Sequence, residues 1–557
     1  MKSLELQDDL DLEARGYRRQ MPRQFSTFSL VALSFSLTCT WSGTGSSIGI
    51  SLQEASAAGT IWSLPVAALM TAILSAGVAE LASAYPVAGA QYYWAFCLAS
   101  KEWRAFASYM NGWLSILGWW LASGAACNFI ASLMLSIVVL WYPNYEIQNW
   151  QQWLVYIGVV WLAVAFNTWG SQLLPLYNRF NCEQYTSYSL ENYKFLVSCI
   201  TLTTTTITVF VCSRNNHAPP EWTFGDATNG TGWQSEGLAF LLAICNAVYA
   251  FLGTDCGAHI CEEIHDPTRN TPKVILYPIL IGLLTAFPFA AACMNAITDI
   301  DAVLNSPTGV PLIQIYYQST GSKAASSILL ALFAFCFFGC TVGNGKFIAS
   351  TDDSGSLISC FSGTTCSRTI WAVSRDDMLP FSRVWAVVNT LFKIPLNALC
   401  LTRTVVSLYG LIFLGSSTAF SAMVGAAIIF LQTSCALPQA ILLWRGRHIL
   451  PERPFSLGRF GFAINLISVL WVLLLDTLCF FPIEMPVTKE NMNYVSVVSI
   501  GLTISVLALY LFSKKGKYLG PRLPNEDPGQ RECQINEGQE LENDADADSR
   551  WDMPKKE

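Results

Sequence analysis

Long apolar runs follow one another along this chain from residue 28 to residue 512. Each run holds about 20 residues, the length that an α-helix needs to cross the hydrocarbon core of a membrane. The sequence is 52% hydrophobic and 13% charged, whereas about a quarter of the residues of a soluble protein are charged. We therefore expect an all-α integral membrane protein with about twelve spans, at 28–57, 60–84, 106–140, 150–167, 195–212, 234–260, 273–297, 324–343, 396–414, 417–443, 459–482 and 492–512.

The segments outside these runs are polar. Residues 1–27 carry charges and no apolar core, which is not the pattern of a cleaved signal peptide. Residues 513–557 are rich in Asp, Glu and Asn and have almost nothing to bury. We expect an N-terminal tail at 1–27, one transmembrane domain at 28–512 and a disordered acidic C-terminal tail at 513–557.

The loops differ in charge. Lys and Arg are concentrated in the even-numbered loops, for example at Lys101, Arg269 and Arg447. Because basic loops stay on the cytoplasmic side, both tails are predicted to be cytoplasmic. The sequon Asn229-Gly230-Thr231 then lies in the fifth loop, on the lumenal or extracellular side, so Asn229 is a glycosylation candidate.

The first apolar run contains three glycines and four hydroxyl side chains within Trp41-Ser42-Gly43-Thr44-Gly45-Ser46-Ser47-Ile48-Gly49. Unwound backbone at membrane depth survives only where it faces protein or a water-filled cavity. A glycine-broken membrane helix is therefore a candidate binding site. The alternative is that the glycines allow neighbouring helices to pack closely.

A second interruption lies in the sixth run, where Gly253, Thr254, Asp255 and Gly257 follow an apolar stretch. Helices 1 and 6 are thus interrupted at corresponding positions of helices 1–5 and 6–10. The two sets of five helices have opposite orientations because five is an odd number. Inverted repeats with discontinuous helices are typical of secondary transporters.

With these motifs the chain resembles the amino acid–polyamine–organocation superfamily, and more closely its fungal branch of amino acid, GABA and choline permeases. The likeness covers about residues 15–517. It is carried by Trp41-Ser42-Gly43-Thr44-Gly45, by 79–93 (AELASAYPVAGAQYY), by Phe251-Leu252-Gly253-Thr254-Asp255, by Glu262-Glu263 and by 374–380 (SRDDMLP).

The resemblance implies a five-plus-five inverted-repeat core like that of the leucine transporter. The amides of Thr44, Gly45 and Ser46 would open the outer half of helix 1 and face a substrate carboxylate. Carbonyls near Trp41 and Phe251 would face its ammonium group, with Phe251 as an aromatic gate. The predicted substrate-binding residues are Trp41, Ser42, Gly43, Thr44, Gly45, Ser46, Tyr249, Phe251, Gly253, Thr254 and Asp255.

Asp255 has two interpretations. A carboxylate at membrane depth costs a few kcal/mol or more and usually lines a cavity, so Asp255 would serve the substrate amine or relay a proton. Alternatively, it caps the broken helix. If the substrate is choline, rings such as Trp41, Tyr249 and Phe251 would hold it by cation–π contacts.

Further candidates concern gating and coupling. Glu80, Glu262 and Glu263 lie near the inner ends of helices 2 and 6. We expect these side chains to be simply solvated, and a gate of salt bridges to Arg375 or to other basic loop residues is the alternative. Thr341 in helix 8 would offer an oxygen to an ion, although threonine more often bonds back to its own helix.

Two polar stretches interrupt the helical pattern, at 181–194 before helix 5 and at 343–363 at the inner end of helix 8. We interpret both as translated introns, because removing them joins the flanking segments smoothly. True loop insertions are the alternative.

The function expected from the sequence is secondary transport of an amino acid or GABA-like amine by alternating access, coupled to a proton or cation. A choline or polyamine permease is the alternative, as is a non-transporting nutrient sensor. No Ser-His-Asp, HExxH or Walker-type pattern indicates an enzyme, and nothing in the sequence indicates a metal, a cofactor or a nucleic acid partner. The chain is expected in the lipid of the plasma membrane, with a vacuolar or other endomembrane as the alternative.

Overall fold

The computed structural model describes residues 35, 38–168, 189–225, 228–342, 361–389, 395–488 and 491–521. Its regular elements in these ranges are all helical. The tail 1–27 lies outside the described residues, and the tail 513–557 is described as far as residue 521.

Eight of the described helices are long and apolar enough to cross a membrane, and two shorter apolar helices add to them. The longest, Thr40–Ala84, leaves helical geometry at Ala55 and Ser56 and comprises the first two predicted spans. The expected order of twelve spans is thereby confirmed. Spans 1 to 12 are 40–54, 57–84, Arg104–Trp141, Asn149–Thr168, Ser189–Cys212, Glu236–Tyr249 with Cys256–His259, Pro267–Asn295, Lys323–Val342, Leu396–Tyr409 with Leu411–Gly415, Ser417–Arg445, Gly461–Leu478 and Val495–Leu509.

The interruption of span 1 lies at a different residue from the one expected. Cys39 has left-handed backbone angles, with φ 38° and ψ 48°, and a continuous helix begins at Thr40. The predicted opening at Thr44–Ser46 is therefore wrong. The physical reason is that the hydroxyls bond back to their own helix: Thr44 Oγ1 donates to the Thr40 carbonyl at 2.9 Å and Ser46 Oγ to the Gly43 carbonyl at 2.7 Å.

The glycines of span 1 serve close packing. A Cβ built on Gly43 would lie 2.7 Å from the Cα of Ala250, and one on Gly45 would lie 2.7 Å from the Phe333 ring. Small residues let helix backbones approach closely in membranes. Packing, the alternative interpretation of these glycines, is what the structure shows at Gly43.

The interruption of span 6 lies where the sequence predicts it. The helix Glu236–Tyr249 ends at Ala250, the chain turns through Gly253 with φ 87°, and the short helix Cys256–His259 follows. Since Ala250 touches Gly43 of span 1, the two interrupted spans lie side by side. The all-α prediction with broken helices 1 and 6 is confirmed.

The helix bundle has an inner and an outer end. Among the described connections, the inner end carries those between spans 2 and 3, 6 and 7, 8 and 9, and 10 and 11, and the outer end carries those between spans 1 and 2, 3 and 4, 5 and 6, 7 and 8, 9 and 10, and 11 and 12. A buried helix, Gln91–Leu98, lies at the inner end. At the outer end the helices Ile300–Leu304 and Pro311–Thr320 join spans 7 and 8, and the Pro311 ring packs against Gly49.

The two polar stretches fall mostly outside the described residues. Of 181–194, the part from residue 189 belongs to the helix Ser189–Cys212. Of 343–363, the part from residue 361 belongs to the helix Phe361–Arg375. The intron interpretation stays a prediction.

Candidate functional site

A cavity of about 660 Å³ lies at the outer end of the bundle, between spans 1, 3, 6 and 10. It reaches the exposed side chains of Ile483 and Met492 in the connection between spans 11 and 12. Three predicted site residues line it: Gly45, Ser46 and Tyr249. Tyr249 is the last residue of the helix before the break in span 6, so the cavity leads from the outer surface to that break.

Two aromatic residues of the predicted site are not among the described residues that line this cavity. Trp41 is fully buried, and its ring makes edge contacts with Phe289 and Phe333 at centroid distances of 5.5 and 5.1 Å. Its indole N–H donates to Ser198 Oγ at 3.3 Å. Phe251 is 1% exposed and belongs to the hydrophobic core.

Asp255 belongs to a buried polar network below the cavity. Gln91 Nε2 donates to Asp255 Oδ2 at 2.6 Å, and His259 Nε2 lies 3.5 Å from the same oxygen. His259 Nδ1 in turn lies 3.2 Å from the Ala88 carbonyl oxygen. Asn111 Nδ2 donates to the Gln91 carbonyl at 2.9 Å. The carboxylate therefore links the broken part of span 6 to the helix Gln91–Leu98 at the inner end.

The remaining residues of the predicted set make local contacts. Thr254 Oγ1 lies 3.0 Å from Ser75 Oγ of span 2. Ser42 Oγ lies 3.0 Å from Cys39 Sγ, beside the break of span 1. The first contact joins the break of span 6 to span 2, and the second is local to span 1.

Glu80 is the centre of an ion cluster at the inner end. Its carboxylate is fully buried and accepts hydrogen bonds from Arg447 Nη2 and Arg453 Nη2, each at a shortest distance of 2.6 Å. The Leu457 amide donates to it as well, at 3.0 Å. The expectation of a solvated side chain is wrong here, because the connection between spans 10 and 11 folds over the inner end of span 2.

Glu262 pairs with Arg375, which was the alternative to the expected solvation. Arg375 Nη2 donates to Glu262 Oε1 at 3.2 Å, with both side chains almost fully buried. The same oxygen accepts from the Ala88 amide at 3.0 Å. Close by, Tyr92 Oη donates to Asp376 Oδ2 at 2.8 Å. The side chains of Glu263 and Thr341 lie outside the part that the structure describes.

Sequence reasoning missed two polar residues of the outer half. Glu54 lines the cavity at the end of span 1, and Asn246 lines it from span 6. Asn246 Nδ2 donates to Ser51 Oγ at 2.7 Å and to the Ser47 carbonyl at 3.2 Å. The signal for Glu54 was available, since it is an acidic residue inside the apolar stretch from Ile48 to Trp62, where a charge indicates a functional position.

Residues 25–504 match the family described as amino acid permease. The chain belongs to this family. It is also 30% identical to the choline transporter of Saccharomyces cerevisiae over 92% of this chain and 85% of the relative. It is 28% identical to the amino-acid permease BAT1 of Arabidopsis thaliana over 92% of this chain and 95% of the relative.

Among solved structures, this permease is similar to the Eremococcus coleocola manganese transporter, with 14% identity, a TM-score of 0.47 and coverage of 88% of this chain and 93% of the other. The family and the two relatives identify the permease as a secondary transporter and not an enzyme. The permease is therefore an integral, multi-pass membrane protein.

Asn229 of the permease is half-buried in the connection between spans 5 and 6. Its Nδ2 donates to the Trp233 carbonyl, and its Oδ1 accepts from the Thr231 amide at 2.8 Å. Glycosylation of Asn229 stays a prediction.

Proposed function

We propose that the permease moves a small amine-bearing solute, an amino acid or a GABA-like amine, by alternating access. The observation that carries this proposal is the asymmetry of the two ends. The outer cavity reaches Tyr249 at the break of span 6, while Glu80 and Glu262 are paired with arginines at the inner end. This arrangement supports an outward-facing state of a transport cycle.

In this proposal the solute enters beside Ser46 and Tyr249 and moves toward the break at 250–255. Asp255, Thr254 and Phe251 lie at that break and would meet it in a later step. The Asp255 network runs from the break to the helix Gln91–Leu98. A change in the hydrogen-bond partner of Asp255 would therefore alter the contacts of this helix at the inner end.

A choline or polyamine substrate is the second candidate, and two observations favour it. The amides of Thr44–Ser46, proposed to hold a carboxylate, lie inside a continuous helix. The described residues that line the cavity include Glu54 and Glu484 and no Lys or Arg. An acidic cavity without basic residues favours a cation, and the yeast relative is named a choline transporter.

The remaining parts of the proposal concern coupling and location. We infer that the inner end faces the cytoplasm, because its connections carry most of the Lys and Arg. The proposed location is the plasma membrane, with an endomembrane as the alternative, and transport is proposed to be coupled to a proton or cation. A nutrient sensor of the same fold would bind the solute without moving it.

Uptake into proteoliposomes tests the substrate class. Radiolabelled GABA, a neutral amino acid and choline are supplied in turn, with a carboxyl-blocked amino acid ester as competitor and empty liposomes as the control. Uptake of the zwitterions with weak competition by the ester supports the first candidate. If choline and the ester compete as well as the zwitterion, the second candidate replaces it. Binding without uptake of any solute would contradict transport and indicate a sensor.

Two variants extend the same experiment to the break of span 6. Asp255→Asn should lower uptake more than Phe251→Leu, because Asp255 accepts a hydrogen bond from Gln91 of the inner-end helix, whereas Phe251 lies in the hydrophobic core. Equal losses in the two variants would contradict a special role for the carboxylate. Collapse of imposed proton or sodium gradients by ionophores, tested on the wild type, identifies the coupling ion.

A further inference from the structure

Glu54 is a buried carboxylate with an oxygen that lacks a hydrogen-bond donor in the part of the chain that the structure describes. It is the last residue of span 1 before the kink at Ala55 and Ser56, and 3% of its surface is exposed. Its Oε2 accepts no hydrogen bond from the described residues. A carboxylate that is withdrawn from water without a partner is strongly destabilised. Its presence on the wall of the cavity indicates that the missing partner is a ligand.

The position of Glu54 on its helix directs it toward span 6. Ser47, Ser51 and Glu54 are spaced by four and three residues and therefore share one face of span 1. Asn246 of span 6 donates to the Ser47 carbonyl and to Ser51 Oγ, which shows that this face packs against span 6. Seven residues of helix separate Glu54 from Ser47, or about 10 Å along the axis. Glu54 thus lies toward the outer surface from the level of Asn246.

The surroundings of Glu54 suit an organic cation. The other carboxylate on the cavity wall, Glu484, already accepts a hydrogen bond from Gln53. The described wall residues contribute no Lys, Arg or His, and four aromatic rings lie among them: Phe129, Tyr249, Phe420 and Phe481. Aromatic faces attract ammonium groups by cation–π interaction. One free carboxylate and several rings form a site for an ammonium group.

We propose that Glu54 is the acceptor of an outer ammonium-binding site, where the permease first holds the cationic end of its solute. This inference rests on the proposed function, because it treats the outer cavity as the entry route. The ligand class is an organic ammonium ion, either a free organocation or the amino group of a zwitterion. Release from Glu54 toward Tyr249 would carry the solute to the break of span 6.

A pair of ligands that differ in charge alone tests this site. Choline and 3,3-dimethylbutan-1-ol have the same shape, and a carbon replaces the nitrogen in the second compound. Binding of each, and of GABA, is measured by tryptophan fluorescence of the purified full-length permease in lipid nanodiscs. The wild type should bind choline at least about tenfold more tightly than its uncharged isostere, because only choline carries a positive charge for Glu54 and for the aromatic faces.

The variant Glu54→Gln removes the charge and keeps the shape of the side chain. We expect it to weaken choline binding by about 10- to 100-fold, because the attraction between two opposite charges is lost, and to leave binding of the isostere within about threefold. The matched control is Glu236→Gln, an exposed carboxylate at the outer end of span 6 that is not among the described residues lining the cavity, and it should weaken choline binding less than about threefold. If GABA binding weakens with that of choline, the site takes both sources of ammonium. If choline alone is affected, the site is for free organocations.

The inference is overturned if Glu54→Gln leaves both the choline affinity and the GABA affinity unchanged. It is also overturned if the wild type binds choline no more tightly than the isostere and the affinity for GABA does not depend on Glu54. Should Glu54→Gln fail to give a monodisperse protein, Glu54→Asp decides. That variant keeps the charge on a shorter side chain, so choline binding should weaken severalfold with the preference over the isostere retained, and an unchanged affinity overturns the inference.

Uptake measured in the same preparations separates this inference from the proposed function. If the wild type prefers choline to the isostere, if this preference depends on Glu54, and if no uptake is found, the proposal of transport is contradicted and the proposed binding site stands. If the wild type takes up solute, but the ratio of choline affinity to isostere affinity in Glu54→Gln equals that of the wild type, the proposed binding site is contradicted and the proposal of transport stands.

Discussion

The inner and outer halves of this permease use buried carboxylates in opposite ways. At the inner end Glu80 and Glu262 are satisfied by arginines and backbone amides from distant parts of the chain. At the outer end Glu54 lines a cavity and has an oxygen without a donor among the described residues. A buried charge that is fully paired closes one end of the bundle, whereas an unpaired one leaves a position for a ligand. The difference lies in the partners and not in the residue type.

The largest expected effect comes from removing the best-paired carboxylate. Glu80→Ala would leave Arg447 and Arg453 facing each other without their shared anion, and breaking a buried ion pair in this way costs about 3–5 kcal/mol. We expect a large fall in the thermal unfolding midpoint in detergent and loss of uptake. Glu452→Ala is the control, since Glu452 is an exposed carboxylate of the same connection. Equal unfolding midpoints for the two variants would contradict the importance of the cluster.

A double-mutant cycle tests how much the second buried ion pair, Glu262 with Arg375, contributes to the inner end. Glu262→Gln and Arg375→Gln should each lower stability by about 1.5–3 kcal/mol, the usual range for hydrogen bonds to charged groups. The double variant should lose less than the sum of the two, because the interaction is removed once. Thermal unfolding gives the three values. Additive losses would show that the 3.2 Å contact contributes nothing to inner closure.

The packing of the two breaks predicts a smaller effect at Gly43. Gly43→Ala places a methyl group 2.7 Å from the Ala250 Cα, and overpacking of this kind costs about 1–3 kcal/mol.

Gly45→Val should abolish uptake while the protein stays in the membrane, because the Phe333 ring occupies the space beside Gly45. Gly158→Ala in span 4 is the control, since it meets open space, and its uptake should equal that of the wild type. Normal uptake by Gly43→Ala and Gly45→Val would refute this packing argument.

The smallest expected effect concerns the hydroxyl pair between span 2 and the break of span 6. Ser75→Ala should cost about 0.5–1.5 kcal/mol, as for a neutral hydrogen bond, and should leave ligand affinity unchanged. Thr254→Ser keeps the hydroxyl and should match the wild type in unfolding midpoint. A loss of GABA or choline affinity in Ser75→Ala would instead assign Thr254 to ligand binding, with Ser75 positioning it.

Much of the architecture was predictable because it depends on local composition. Apolar runs of spanning length fix the order of the helices, since backbone groups in hydrocarbon must bond within their own helix. Gly253 and its polar neighbours end the helix of span 6 at the expected place, because a residue with φ 87° suits glycine. The pairing of Glu262 with Arg375 could be named only as an alternative to solvation, since both residues lie in inner connections.

Other features depend on partners that are distant in the sequence. Thr44 and Ser46 suggested an open backbone, but their hydroxyls are satisfied inside the helix. Trp41 suggested a substrate contact, but rings from spans 7 and 8 surround it.

By itself, the sequence determined a twelve-span helical permease with a broken sixth span and acidic residues at membrane depth. The tertiary structure decided which of these acids are neutralised. Glu80 is paired with two arginines that lie more than 360 residues later in the sequence, whereas Glu54 lines a cavity. The physical reason is that the cost of burying a charge depends on the donors that surround it in space, and the fold alone brings those donors together.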